Sequence, residues 1–148
     1  MENGHDRNNT FFRFEDLRIY HKALNYAQWI NNATTVSAAE QNHGLIERFN
    51  TSSHNIVLNI AEGSARNKSQ FIYYLKMSKS AVRECLVFTS IFHNLGLFDD
   101  ADENDSRNQL MEMTKMLGAL ISSLQRSANR REEENNGNNI DDEQAREE

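Results

Sequence analysis

The chain has no proline and only one cysteine among its 148 residues. Proline punctuates loops and sheet edges and is shut out above all from helix interiors, so its absence favours long uninterrupted helices. The lone cysteine, Cys85, excludes an internal disulfide and leaves no basis for a zinc cluster. Set within an apolar helical pattern, it is expected to pack as a small hydrophobe. No apolar run approaches the roughly 18 residues that a membrane span needs. The polar stretch Met1 to Thr10 lacks the basic-then-apolar order of a signal peptide, so a cytoplasmic location is expected. Triplets such as Asn50-Thr51-Ser52 resemble glycosylation acceptors, but they follow from an asparagine-rich composition without secretory context.

With 38% hydrophobic and 26% charged residues, the sequence falls in the ordinary globular class and is sized for one domain. Periodicity then supplies four helices. From Glu15 to Ile30, Leu17, Tyr20, Leu24 and Ala27 form one stripe, and Ile19, Ala23, Tyr26 and Ile30 a second. A second helix is expected from about His43 to Glu62 on Leu45, Phe49, Ile56 and Ile60, with Ser52 and Ser53 as small residues at a close approach and Gly63 placed to end it. A third should start near Asn67 or Lys68 and run to about Asn94, where Leu95-Gly96-Leu97 supplies a glycine stop. Its core stripe reads Phe71, Leu75, Ser78, Val82, Cys85 and Thr89. Tyr74, Met77, Ala81, Phe88 and Ile91 lie round the far side, more apolar surface than one core requires. Asp99 to Asp105 reads as an acidic connector, and Leu110, Met113, Leu117, Leu120 and Leu124 follow heptad spacing in a fourth helix.

Beyond Gln125 the composition turns to Arg, Glu, Asn, Gly and Asp, with too little apolar surface to offset ordering entropy. The expected organisation is therefore a flexible N-terminal arm over 1–12, a bundle over 13–126 and a disordered acidic tail over 127–148. That tail, counted from Arg126, holds eight acidic and four basic residues and so carries most of the formal charge of −6.

The entry Phe14-Glu15-Asp16-Leu17-Arg18-Ile19-Tyr20-His21-Lys22-Ala23, the run Asn59-Ile60-Ala61-Glu62-Gly63-Ser64, Phe71 with Leu75, and Leu95-Gly96-Leu97 together resemble the 23S rRNA-intervening-sequence protein family over about residues 12–126. The accessory variability determinant proteins of diversity-generating retroelements are similar in fold and share parts of this pattern. The resemblance implies an all-α, up-and-down antiparallel four-helix bundle that assembles as a homopentameric barrel, with a nucleic-acid role.

Between Gly63 and Arg83 the chain carries five basic residues, Arg66, Lys68, Lys76, Lys79 and Arg83, and no acid. At 100° per residue the four on the third helix fall within an arc of about 80°, along one edge of the rod. Such an edge could meet phosphates, and a ring of copies would multiply it; solvated side chains or ion pairing to the acidic connector of a neighbouring copy would produce the same pattern. Tyr73 and Tyr74 could stack on bases or pack. Glu62 is expected to cap amides of the following helix, and Asn59 to hydrogen-bond across the hinge. Glu40-Gln41-Asn42-His43 is the single Glu-x-x-His motif, where a di-metal bundle uses two. His21, His54 and His93 fall on three different helices without metal spacing. No catalytic triad ordering or phosphate-cradling glycine loop is recognisable.

The expectation is a non-enzymatic scaffold without metal or cofactor, self-associating, whose basic third-helix edge contacts RNA or DNA. The alternative is a protein-interaction adaptor for a nucleic-acid enzyme such as a reverse transcriptase.

Overall fold

The computed structural model describes residues 11–36 and 40–146. A 3₁₀ turn over Arg13–Asp16 leads into α1 (Arg18–Val36); a second over Glu40–Asn42 leads into α2 (His43–Ser64), which is followed by α3 (Lys68–Asn94) and α4 (Asp100–Arg146). There is no strand among the described residues. Among the described residues no helix is long and apolar enough to cross a membrane.

Side-chain pairs fix the topology. Thr34 meets Asn50, Ser52 meets Glu84, Thr89 meets Ser106 and Tyr26 meets Ser106, while Lys22 meets Glu112 further along α1 and α4. Each helix therefore runs antiparallel to its neighbours, and α4 returns to α1 to close a four-helix bundle.

The core is richest at the end where α3 turns into α4. Phe49, Phe92 and Phe98 are almost fully buried, with ring centroids 5.1 to 6.0 Å apart, and Trp29 meets Phe98 edge-on at 5.9 Å. Burial of each such ring contributes about 1.5–3 kcal/mol. Aliphatic layers of Ile56, Ile60, Leu75, Met113 and Leu117 continue below. Between them lies a buried polar layer: the Tyr26 hydroxyl is 2.8 Å from Ser106 Oγ, which is 2.7 Å from Thr89 Oγ1, and Thr89 donates to the Cys85 carbonyl at 2.7 Å. Burial pushes both the Tyr26 phenol and the Cys85 thiol upward, so neither ionises at neutral pH. Cys85 is packed and free.

The third helix matches its expected limits. Asn67 caps it by accepting from the Gln70 amide at 2.9 Å, and Gly96, at φ 72°, ends it. The Leu97 amide reaches the Phe92 carbonyl at 2.8 Å and the Gly96 amide the His93 carbonyl at 3.0 Å, a paired closure that requires the left-handed residue. The two apolar stripes are unequal, since Ile19, Ala23, Tyr26 and Ile30 of α1 are all buried, whereas in the other stripe Ala27 is buried and Leu17, just ahead of α1, with Tyr20 and Leu24, is half-buried. On α3, Ala81 belongs to the bundle core. The surplus apolar surface is on Tyr73, Leu86 and Val87.

Three expectations are corrected. Gly63 does not end α2, which continues to Ser64 with ordinary helical backbone; a Cβ at Gly63 would lie 2.6 Å from Tyr74 Cβ, so the glycine permits close approach of α3. Asp99 to Asp105 is no connector. The Asp102 amide donates to Asp99 Oδ1 at 2.7 Å and the Asp99 amide to Asp102 Oδ2 at 3.4 Å, so Asp99 caps α4, and the remaining acids occupy its first turns, where the helix dipole favours them. The chain after Arg126 stays helical to Arg146. Extending a helix that packing has already nucleated avoids the cost of starting one. What does end near Leu124 is burial, because residues 129–138 are exposed throughout. The expected arm over 1–12 lies outside the described residues except for Phe11 and Phe12.

Candidate nucleic-acid interface

The basic edge of α3 runs beside α4. Lys68, at the first turn, donates to Ser127 Oγ on α4, and both Lys68 and Lys79 are partly covered, whereas Lys76 and Arg83 are exposed. Arg66 stands apart. Its guanidinium donates to Glu62 at 2.6 Å and lies 5.7 Å from the centre of the Tyr74 ring, and the bond to Glu62 leads the effects that hold its basicity up. Among the described residues no ion-pair partner meets Lys76, Lys79 or Arg83. These three, with Lys68, whose partner is an uncharged hydroxyl, keep charge available to a polyanion, whereas Arg66 is neutralised by Glu62.

Other expected site residues have local structural roles. Glu62 spends its carboxylate on Arg66 and caps no amide of α3, a task taken by Asn67. Asn59 does not span the hinge; its amide donates one turn back, to the Asn55 carbonyl at 2.9 Å. Tyr74 is half-buried against Gly63, while Tyr73 is largely exposed, with the two rings 5.8 Å apart and nearly perpendicular. Only Tyr73 can offer a ring face to a ligand.

The histidines do not converge. His21 reaches the Glu15 carbonyl, His54 lines a groove between α1 and α2, and His93 sits between Asp100, 2.8 Å from Nε2, and Glu103, 2.9 Å from Nδ1. Arg107 bonds Glu103 at 3.0 Å and Ser90 at 3.0 Å. Donor atoms of His93, Asp100 and Glu103 lie close enough to approach one cation. With each ring nitrogen against a carboxylate and Arg107 already on Glu103, the arrangement works as a polar latch across the α3–α4 turn.

Sequence reasoning missed one feature at the opposite end. Phe11, Phe12, Phe14 and Tyr20 form a chain of ring contacts with centroids 5.0 to 5.8 Å apart, and the first two rings are mostly exposed. The signal was present in Phe11-Phe12-Arg13-Phe14, aromatic residues interleaved with a cation, but it straddles the limit set for the N-terminal arm.

The sequence model of the family described as 23S rRNA-intervening sequence protein matches residues 15–119. This chain belongs to that family. In this member of the 23S rRNA-intervening sequence protein family, the matched stretch takes in all of α1 to α3, and with them the whole basic edge. Phe11, Phe12 and Phe14 precede it. Comparison with curated proteins finds no match.

Proposed function

We propose that this family member is a non-enzymatic scaffold that associates with copies of itself, as a ring of five, and contacts RNA or DNA through the α3 edge formed by Lys68, Lys76, Lys79 and Arg83. The carrying observation is that Lys76, Lys79 and Arg83 line one edge with no carboxylate among the described residues engaging them. Each phosphate they neutralise would release counterions, and repetition around a ring would convert a weak contact into avidity. Self-association is supported by apolar surface left open on either side of α2. A groove of about 580 Å³ between α1 and α2 includes Leu24, Val57 and Leu58, and one of about 620 Å³ between α2 and α3 includes Leu45, Val87 and Ile91. Leu58 and Val87 are more than half exposed.

The adaptor alternative would present free carboxylates to a basic nucleic-acid enzyme such as a reverse transcriptase. Asp99, Asp102 and Glu103 are engaged in the α4 cap and the His93 latch, so that reading falls to the acids of the tail beyond Arg126, of which Glu132, Glu133 and Glu134 are exposed. Binding of labelled RNA and DNA to the intact chain, followed over a salt series, tests the scaffold. Lys76→Glu with Lys79→Glu is expected to weaken binding across sequences and to flatten its salt dependence by roughly two phosphate contacts. No binding at low salt by the unaltered protein removes the proposal.

A further inference from the structure

We propose that the aromatic ladder at the start of the chain is a stacking platform for unpaired bases, so that the preferred ligand is single-stranded nucleic acid; this rests on the α3-edge reading and gives it a substrate class. Phe11 is 91% exposed and Phe12 55% exposed, so neither ring belongs to the core. They are nonetheless ordered against each other: Phe11 meets Phe12 edge-on at 5.2 Å and Phe12 leans on Phe14 at 5.8 Å. Phe14 meets Tyr20 at 5.0 Å, which anchors the ladder to α1. An edge-on pair leaves ring faces open to solvent, and a base can cover such a face whatever its identity.

Cations for the phosphates stand at the same end, among the carboxylates of Glu15, Asp16 and Glu62. Arg13 interrupts the ladder and Arg18 follows it at the start of α1, both exposed. The 3₁₀ turn that carries Arg13 and Phe14 packs against α2 as well as α1. In an antiparallel bundle the end of α2 and the start of α3 share this end, which places Arg66 and Lys68 there and leads on to Lys76 and Lys79 along the rod. Aromatic faces beside a cationic track are the two parts by which proteins hold single strands, whereas paired bases inside a duplex offer no free face.

The test uses the intact chain at low salt, with fluorescent oligouridylate and oligothymidylate of about twelve nucleotides, within the usual span of a single-strand site, and a duplex of equal length. Phe11→Ala with Phe12→Ala is expected to weaken binding of both single strands about tenfold or more, and to leave duplex binding within about twofold. Phe11→Tyr with Phe12→Trp should restore it. Both residues are exposed, and melting temperature checks that the fold is kept. Unchanged single-strand binding by the alanine variant overturns the platform while the α3 edge stands. So does an equal loss for single strand and duplex, or a fall in particle mass by light scattering, which would make the ladder a seal against a second copy. If the unaltered chain binds neither form, the α3-edge reading fails and the platform with it.

Discussion

The two ends of the bundle are built on opposite principles. Where α3 turns into α4, aromatic rings are buried, the glycine closure is complete, and carboxylates are tied into a cap and a latch. At the other end, the Phe11 and Phe12 rings face solvent, Arg13, Arg18, Arg66 and Lys68 stand among Glu15, Asp16 and Glu62, and α4 runs past the packed core carrying Glu132, Glu133 and Glu134. Holding the fold and meeting a ligand make contrary demands on aromatic and charged groups, and on the proposed reading this chain separates them along its length.

The sharpest way to break that contrast is to remove a ring from the closed end. Phe92→Ala should cost about 3–5 kcal/mol in urea unfolding, because it opens a cavity among Phe49, Phe98 and their neighbours. Phe12→Ala, at the open end, should cost little; equal losses would contradict the division of labour. Next in size is Gly63→Ala, whose new Cβ meets Tyr74 Cβ rather than a flexible tip, with an expected loss of about 1–3 kcal/mol by the same measurement.

Alkaline titration probes the buried polar layer. The Cys85 thiol and Tyr26 phenol have ordinary values of 9.0 and 10.0, and burial raises both. As pH passes these values the unfolded chain loses the protons while the native state keeps them, so stability is complete below about pH 9 and falls above it. The slope should be about 1.4 kcal/mol per pH unit for each group. Cys85→Ala should remove the portion that begins near 9.0, leaving the later tyrosine portion; an unchanged profile would refute the assignment. The smallest effect is expected from ending the chain after Arg126, which deletes exposed helix and the Lys68 to Ser127 contact, for a change within about 0.5 kcal/mol. A larger drop in melting temperature would show that the open end is held by its projecting helix.

Signals that are local and single-valued were legible in the sequence. The limits of α3, its Asn67 cap and the Gly96 stop depend on a few adjacent residues, and the burial of Ile56, Leu75 and Leu117 follows from period alone. Residues with two structural meanings were not. A glycine late in a helix either terminates it or admits a neighbouring backbone, and only the position of Tyr74 decides. An acidic run is either a solvated link or a helix start, and Asp99 with Asp102 resolves it through reciprocal amide bonds. The five cations were found, but the pairing of Arg66 with Glu62 subtracts one, although its four-residue spacing was there to be read. The phenylalanine ladder was missed because exposed aromatics leave no periodic trace.

The overhang of α4 puts Glu132, Glu133 and Glu134 beyond the end where Arg13, Arg18, Arg66 and Lys68 gather. On the proposed reading it would act as an electrostatic fence, turning a strand of nucleic acid away from the tip of the rod and admitting it from the flank. Removing the overhang would then raise capture at low salt and change little at high salt, where the screening length falls to about 3 Å.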